Sequence, residues 1–275
     1  MIKFKIYNKS IITLGIGLFL VIALSFISIN TNAFAFPVNV FLLMLLVYFS
    51  FVAGRLSERF RFFSSGKTAL LVSVYIIVLL ILHWFFYHRK NFSDSLFPDS
   101  LYDFSTSALF VISWLFFLFV LGAVIVRRFT IVKKNNVLFL LNHVGLWVAL
   151  SAGFLGRADL YTMQTIVNKE YVIFQAYTED NQKMNLPFSL GLQEIRKEHY
   201  SSGEIKTVEA DLIIKDRQYE KNVSVSVNYP YRYKGYDVYL MNAGVNAGKL
   251  QIVYDPWRYI VLLGIAIMFA GAIGA

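Results

Sequence analysis

A histidine, His143, sits inside the apolar run Val137–Gly156, VLFLLNHVGLWVALSAGFLG. At membrane depth an ionisable group is expensive, about 2.5–3.5 kcal/mol for a charged side chain on insertion scales and less for neutral imidazole. Something must compensate: a partner group, a proton path or a metal. Neutral imidazole offers a lone pair near physiological pH, which makes it a common ligand of iron and haem. On the same helical face lie Leu140 at i−3 and Trp147 at i+4, so Trp147 is a candidate wall for an apolar macrocycle. Two readings of His143 stay open on the helix alone. One is an axial ligand; the other is a packing histidine bonded to a neighbouring helix, with Asn142 doing similar work.

The other histidines are less pointed. His83, in LLILHWFFYHRK, falls near the far end of another apolar run, as an interfacial side chain or a secondary ligand. His88, beside Arg89 and Lys90, suits a headgroup position. His199, in EIRKEHY, reads as a solvated strand end. The carboxylates Glu209 and Asp211 alternate with apolar residues, as an exposed strand face does. Absence of cysteine excludes disulfides, thiolate ligands and CxxC redox chemistry.

The elements that must position these groups are mostly membrane spans. Hydrophobic residues make up 57% of the 275 and charged residues 16%, where a soluble domain has about a quarter charged. Mean hydropathy is +0.56. Six runs qualify as spans, near Ile11–Ile29, Pro37–Ala53, Thr68–Tyr87, Ala108–Val126, Val137–Leu155 and Trp257–Ala275. The last ends without a charged flank, which suggests a longer natural chain or a fusion point. The first has no small-x-small cleavage signature, so it reads as a retained span.

Net charge is +9, but its placement argues against nucleic acid. Lys3, Lys5 and Lys9 precede the first run; Arg55, Arg59, Arg61 and Lys67 follow the second; Arg127, Arg128, Lys133 and Lys134 follow the fourth. The alternate loops are neutral or acidic, so the pattern is positive-inside. It puts the N-terminus in the cytoplasm and the long polar segment after the fifth span outside. That segment holds twelve Lys/Arg and thirteen Asp/Glu between Arg157 and Pro256, so the basicity reports topology.

Residues 157–256 read as one all-β domain, an antiparallel sandwich or small barrel of about six to eight strands. Val208, Ala210, Leu212 and Ile214 share one face, and Val223, Val225 and Val227 alternate with serines. Asp216-Arg217-Gln218 suits a hairpin connection, and Pro187 and Pro230 are expected at strand ends. The tyrosine-rich stretch NYPYRYKGYDVYL has two readings. It packs a β-edge or membrane interface, or it docks a partner protein through Tyr231, Arg232, Tyr233, Lys234 and Gly235.

LNHVGLWVALSAGFLGRADL resembles the histidine-bearing span of the ResB/CcsB family of cytochrome c biogenesis proteins. The resemblance continues through NLPFSLGLQEIRKEHYSSGE and TVEADLIIKD. It then runs through VSVSVNYPYRYKGYDVYLMNAG into IVYDPWRYIVLLGIAIMFAGA. Its most specific part is VN-x-P-x-RYKG-x-x-[IV]Y with the DP that follows. It covers about residues 137–275. The family usually has three spans before the domain, where five are counted here.

Hydropathy and charge placement give a polytopic α-helical membrane protein of about six spans with one extracytoplasmic all-β domain. Residues 1–156 would form the bundle, 157–256 the domain and 257–275 the closing span, in the cytoplasmic membrane. The resemblance implies work with a CcsA/ResC-like partner bearing a WWD segment, in the system II apparatus that exports haem b and attaches it to apocytochrome c. Thioredoxin-like reductants would act on the apocytochrome separately. His143 would be one axial ligand. The tryptophans Trp84, Trp114, Trp147 and Trp257 are scattered, so this chain would be the subunit without the WWD segment and no complete lyase alone. Competing classes are a membrane anchor with a β-domain and no haem, and a proton-coupled transporter. Weak symmetry between halves and the lack of intramembrane carboxylates oppose the latter.

Overall fold

The structure, a computed structural model, describes residues 23–24, 27–56, 60–89, 104–129 and 134–274. The chain divides into two units, Met1–Ala158 with Arg258–Ala275, and Asp159–Trp257. The span expected near Ile11–Ile29 lies almost wholly outside the described residues.

The first unit is helical. Helix α1, Val38–Phe51, runs on through a π turn at Val52–Leu56. It is followed by α2, Gly66–Arg89, α3, Ala108–Arg128, and α4, Lys134–Gly156. After the second unit comes α5, Arg258–Ile273. The first four supply stretches long and apolar enough to cross a membrane. The fifth has 16 residues, about 24 Å of helix, shorter than the roughly 20 residues a span usually needs. Helix α3 is the centre: 56% of its span is buried, against 17–22% for the other three. Ser107 caps its start by accepting from the Phe110 N–H at 3.2 Å, and Arg127 and Arg128 sit in its last turn, where cations favour the helix dipole.

Lipid tails remove the usual hydrophobic drive between helices, so polar bonds and close approach hold such a bundle. Buried Asn39 of α1 donates to the Leu155 carbonyl of α4 at 3.3 Å. Ser50 donates to the Phe119 carbonyl of α3 at 3.1 Å. Helices α4 and α5 run antiparallel with their backbones in contact: a Cβ on Gly264 would lie 2.6 Å from the Ala149 nitrogen and 2.8 Å from the Gly145 carbonyl. Asn142 adds a hydrogen bond to the Met268 carbonyl at 3.2 Å.

The second unit is one antiparallel sheet of eight strands in the order β5-β4-β3-β2-β1-β8-β7-β6. The strands are β1 Tyr161–Asn168, β2 Ile173–Thr178, β3 Lys183–His199, β4 Ile205–Lys215, β5 Glu220–Ser226, β6 Tyr231–Tyr233, β7 Tyr236–Ala243 and β8 Ala247–Tyr254. Inward residues of seven strands fill a single core, among them Met163, Leu190, Leu212, Val225, Leu240 and Ile252. One sheet wrapped round one core is closer to a small open barrel than to two facing sheets. The alternating faces of β4 and β5 and the turn at Asp216 follow the periodicity of the sequence. The Asp216 N–H meets the Tyr219 carbonyl at 2.8 Å.

Pro187 corrects the expectation of a strand end. It lies inside β3, where the register against β2 jumps from Gln175↔Asn185 to Ile173↔Leu190. Pairing with β4 begins at Ser189. The proline occupies the bulge between two sets of partners, where no ladder donor is required.

The tyrosine-rich stretch closes the sheet. Lys234 and Gly235, at φ 49° and 85°, form the two-residue hairpin between β6 and β7, the positive-φ geometry that matches strand twist. Tyr233 donates to Asp216 Oδ2 at 2.6 Å and stacks on Tyr219 at 4.9 Å. Tyr231 and Tyr219 share a hydroxyl bond at 3.0 Å, and Lys234 pairs with Asp216. Groups on β6 and its turn thereby grip the β4–β5 turn across the sheet's open seam. Arg232 holds Asp237 in two bonds, at 2.7 and 2.6 Å. These contacts show the stretch packing the sheet edge, one of its two readings.

Two results are expected here. Arg232→Ala leaves Asp237, 4% exposed, without its bidentate partner. It should cost about 2–3 kcal/mol of domain stability, below the 3–5 of a fully buried pair because Arg232 is part-exposed; denaturant unfolding of the full chain measures it. The Asp216 hydrogen bond, then burial, push the Tyr233 phenol up to about 12. A raised pKa gives stability that is complete below the ordinary tyrosine value near 10 and is lost as pH rises through about 12. Tyrosinate absorbance should therefore show a late-titrating phenol that Tyr233→Phe removes and Asp216→Asn moves earlier.

Candidate functional site

Helix α4 begins where the Asn136 side chain donates to the Arg128 carbonyl at 2.8 Å, folding it back against α3. Two turns further in, the His143 ring stacks on Phe139, 3.8 Å between centroids. Its Nδ1 lies 2.9 Å from the Phe139 carbonyl. A carbonyl only accepts, so Nδ1 is the donor, and in the neutral ring the lone pair is then on Nε2. That is the tautomer of a metal-ligating histidine, whose other nitrogen is commonly held by a backbone carbonyl. The Arg128 guanidinium lies over the opposite partner of the stack, 5.2 Å from the Phe139 centroid.

His143 lines a cleft of about 720 Å³ between α2, α3 and α4, within the roughly 300–1,000 Å³ of small-molecule sites. Leu70, Phe117, Leu121 and Leu146 supply an apolar wall. Ser64, Ser65, Arg127 and Arg128 supply a polar, cationic end. Arg127 donates to Ser64 Oγ at 3.4 Å. The donor set fits a flat apolar macrocycle with a central metal and acidic tails: one imidazole lone pair, hydrocarbon and aromatic sides, cations at one end.

Trp147 stands elsewhere. Its indole donates to the Leu118 carbonyl at 2.8 Å and packs with Leu118 and Leu155 in the core of α1, α3 and α4. It is absent from the residues lining the cleft, so the expected pocket wall is instead a strut between helices. The wall consists of Phe139, Leu146 and residues of α2 and α3. His83, on α2, is ten residues beyond Ser73, the last α2 residue on the cleft. At 1.5 Å per residue that is about 15 Å along the axis, so the two imidazoles do not share this cleft. Gly145 and Ala149 make their close helix contact with α5, and Gly153 has open space beside it.

Sequence reasoning missed Arg127 and Arg128 as site residues because their place at a span end read as topology. Ser64 and Ser65 carried no signal at all. In the second unit, Glu209 and Asp211 are both taken up by Arg196, at 3.1 and 2.8 Å. His199 ends β3 in an exposed position. Among the described residues no group of three His, Asp or Glu side chains is placed to hold a metal.

Residues 135–249 match the ResB-like family. That segment takes in most of α4, His143 included, and the β-domain as far as β8. Among solved structures, the chain is similar to a cytochrome c heme lyase, CcmF, at 10% identity and a TM-score of 0.41, over 73% of this chain and 33% of that one. This chain thus spans about a third of that protein's length. No curated protein matches.

Proposed function

We propose that this chain, ResB-like over residues 135–249, is the subunit without the WWD segment of a system II cytochrome c biogenesis complex. In this reading haem b is cargo. His143 ligates its iron from one side, within the cytoplasmic half of the membrane. A CcsA/ResC-like partner supplies the second ligand and the site where apocytochrome c receives the haem. The β-domain lies on the extracytoplasmic side in this reading, which the alternation of basic loops supports. The bonds formed there, two thioethers across the haem vinyls, belong to the partner's site; this chain holds and orients the cargo.

The observation that carries the reading is the placement of His143 on the cleft wall. Its Nδ1 lies 2.9 Å from the Phe139 carbonyl, and it stands on the wall of a cleft with an apolar body and an arginine end. A packing histidine needs the hydrogen bond but not the cleft. Deletion of the gene, read by haem-stained gels of membrane cytochromes, tests the proposal. Loss of covalently haem-bearing cytochrome c with apocytochrome still synthesised is expected. Unchanged cytochrome c would leave the anchor reading standing.

A further inference from the structure

The His143 cleft has a direction. His143 lies four residues beyond Phe139 on α4, about 6 Å of helix rise, and Arg128 caps the Phe139 ring. On α3 the lining runs from Phe117 through Leu121 and Val124 to Arg127 and Arg128 at the last turn. Antiparallel α3 and α4 therefore put the hydrocarbon at the Phe117–Leu146 end, the imidazole between, and the guanidinium groups at the other end. Arg127 is part-buried and already directed to the cleft-lining Ser64 hydroxyl. Guanidinium presents several donors in a fixed planar fork that matches a carboxylate. A low-dielectric wall on three sides strengthens such a bond.

Building on the haem reading of His143, we infer that Arg127, with Arg128 beside it, takes the propionate carboxylates of the porphyrin. The macrocycle then lies with its acidic edge at the arginine end and its vinyl edge toward Phe117 and Leu146. Arg127 is a positioning residue: it fixes which edge of the ring leads, while His143 holds the metal. The reacting vinyl edge would accordingly face away from the basic end of the bundle.

The test uses the assembled complex with its WWD-bearing partner, and two probes: iron protoporphyrin IX and its dimethyl ester, which lacks the carboxylate charge. The native complex should retain the free acid at least about tenfold better than the ester, the effect of one charge-assisted hydrogen bond. Arg127→Gln with Arg128→Gln should abolish that preference while leaving a His143-dependent ligation spectrum with both probes. Arg127→Lys, which keeps the charge but not the fork, should restore part of it and guards against a misfolded double variant. Equal retention of acid and ester by the native complex overturns the inference, as does a preference that survives in the double variant. Should neither probe give a spectrum that depends on His143, the haem reading itself fails and takes this inference with it.

Discussion

His143→Ala is expected to remove one axial ligand from haem held by the complex. The low-spin spectrum of the purified assembly should be lost, with haem retained at least about tenfold more weakly. Holocytochrome yield should fall in parallel. The physical reason is specific: the Phe139 carbonyl accepts from Nδ1 at 2.9 Å, so a neutral ring has its lone pair on Nε2. Added imidazole should restore ligation to His143→Gly more than to a bulkier His143→Leu, because only the glycine variant leaves room for a free ring. Restoration distinguishes a missing ligand from a damaged helix. If haem content and ligation are unchanged in the alanine variant, His143 is a packing residue.

The second large effect is expected at the α4–α5 contact. In Gly264→Leu the new Cβ would meet backbone atoms of Ala149 and Gly145 at 2.6 and 2.8 Å. Neither can yield as a side-chain tip does, so the helices must part. Overpacking costs about 1–3 kcal/mol in typical cores, and here the Asn142 bond to Met268 is lost as well. Asn142 neighbours His143, so the imbalance reaches the cleft. The midpoint of thermal unfolding in detergent should drop, and haem retention with it. Gly153→Leu is the control: its Cβ meets nothing within 4 Å, so it should behave as native. A Gly264→Leu protein as stable as that control would mean α4 and α5 are not in backbone contact.

The sequence made His143 legible because a polar residue in a long apolar run has few uses. It made β4 and β5 legible because a half-buried strand repeats every two residues; Ala210, Leu212 and Ile214 are fully buried. What stayed hidden depends on long-range partners. Trp147 looked available to a macrocycle until its indole N–H found the Leu118 carbonyl 29 positions earlier. The sequence left Tyr231–Gly235 between edge packing and docking, and only the fold shows Asp237 and Asp216 beside Arg232 and Lys234. Pro187 looked like a terminator because bulges leave no periodic trace in one strand alone. The arginines of the cleft read as topology in the sequence, yet one guanidinium can mark a membrane face and line a site at its edge. Helix α5 was recognisable as apolar, whereas its contact with α4 depends on glycines spaced seven apart at Gly264 and Gly271, which only the opposing backbone makes meaningful.

The most direct measurement is the absorbance spectrum of the native chain purified together with its WWD-bearing partner, normalised to protein. The account predicts bound haem with a low-spin, two-imidazole signature, present before any apocytochrome is added. An intact assembly that carries no haem under conditions where the cell makes it would contradict the account.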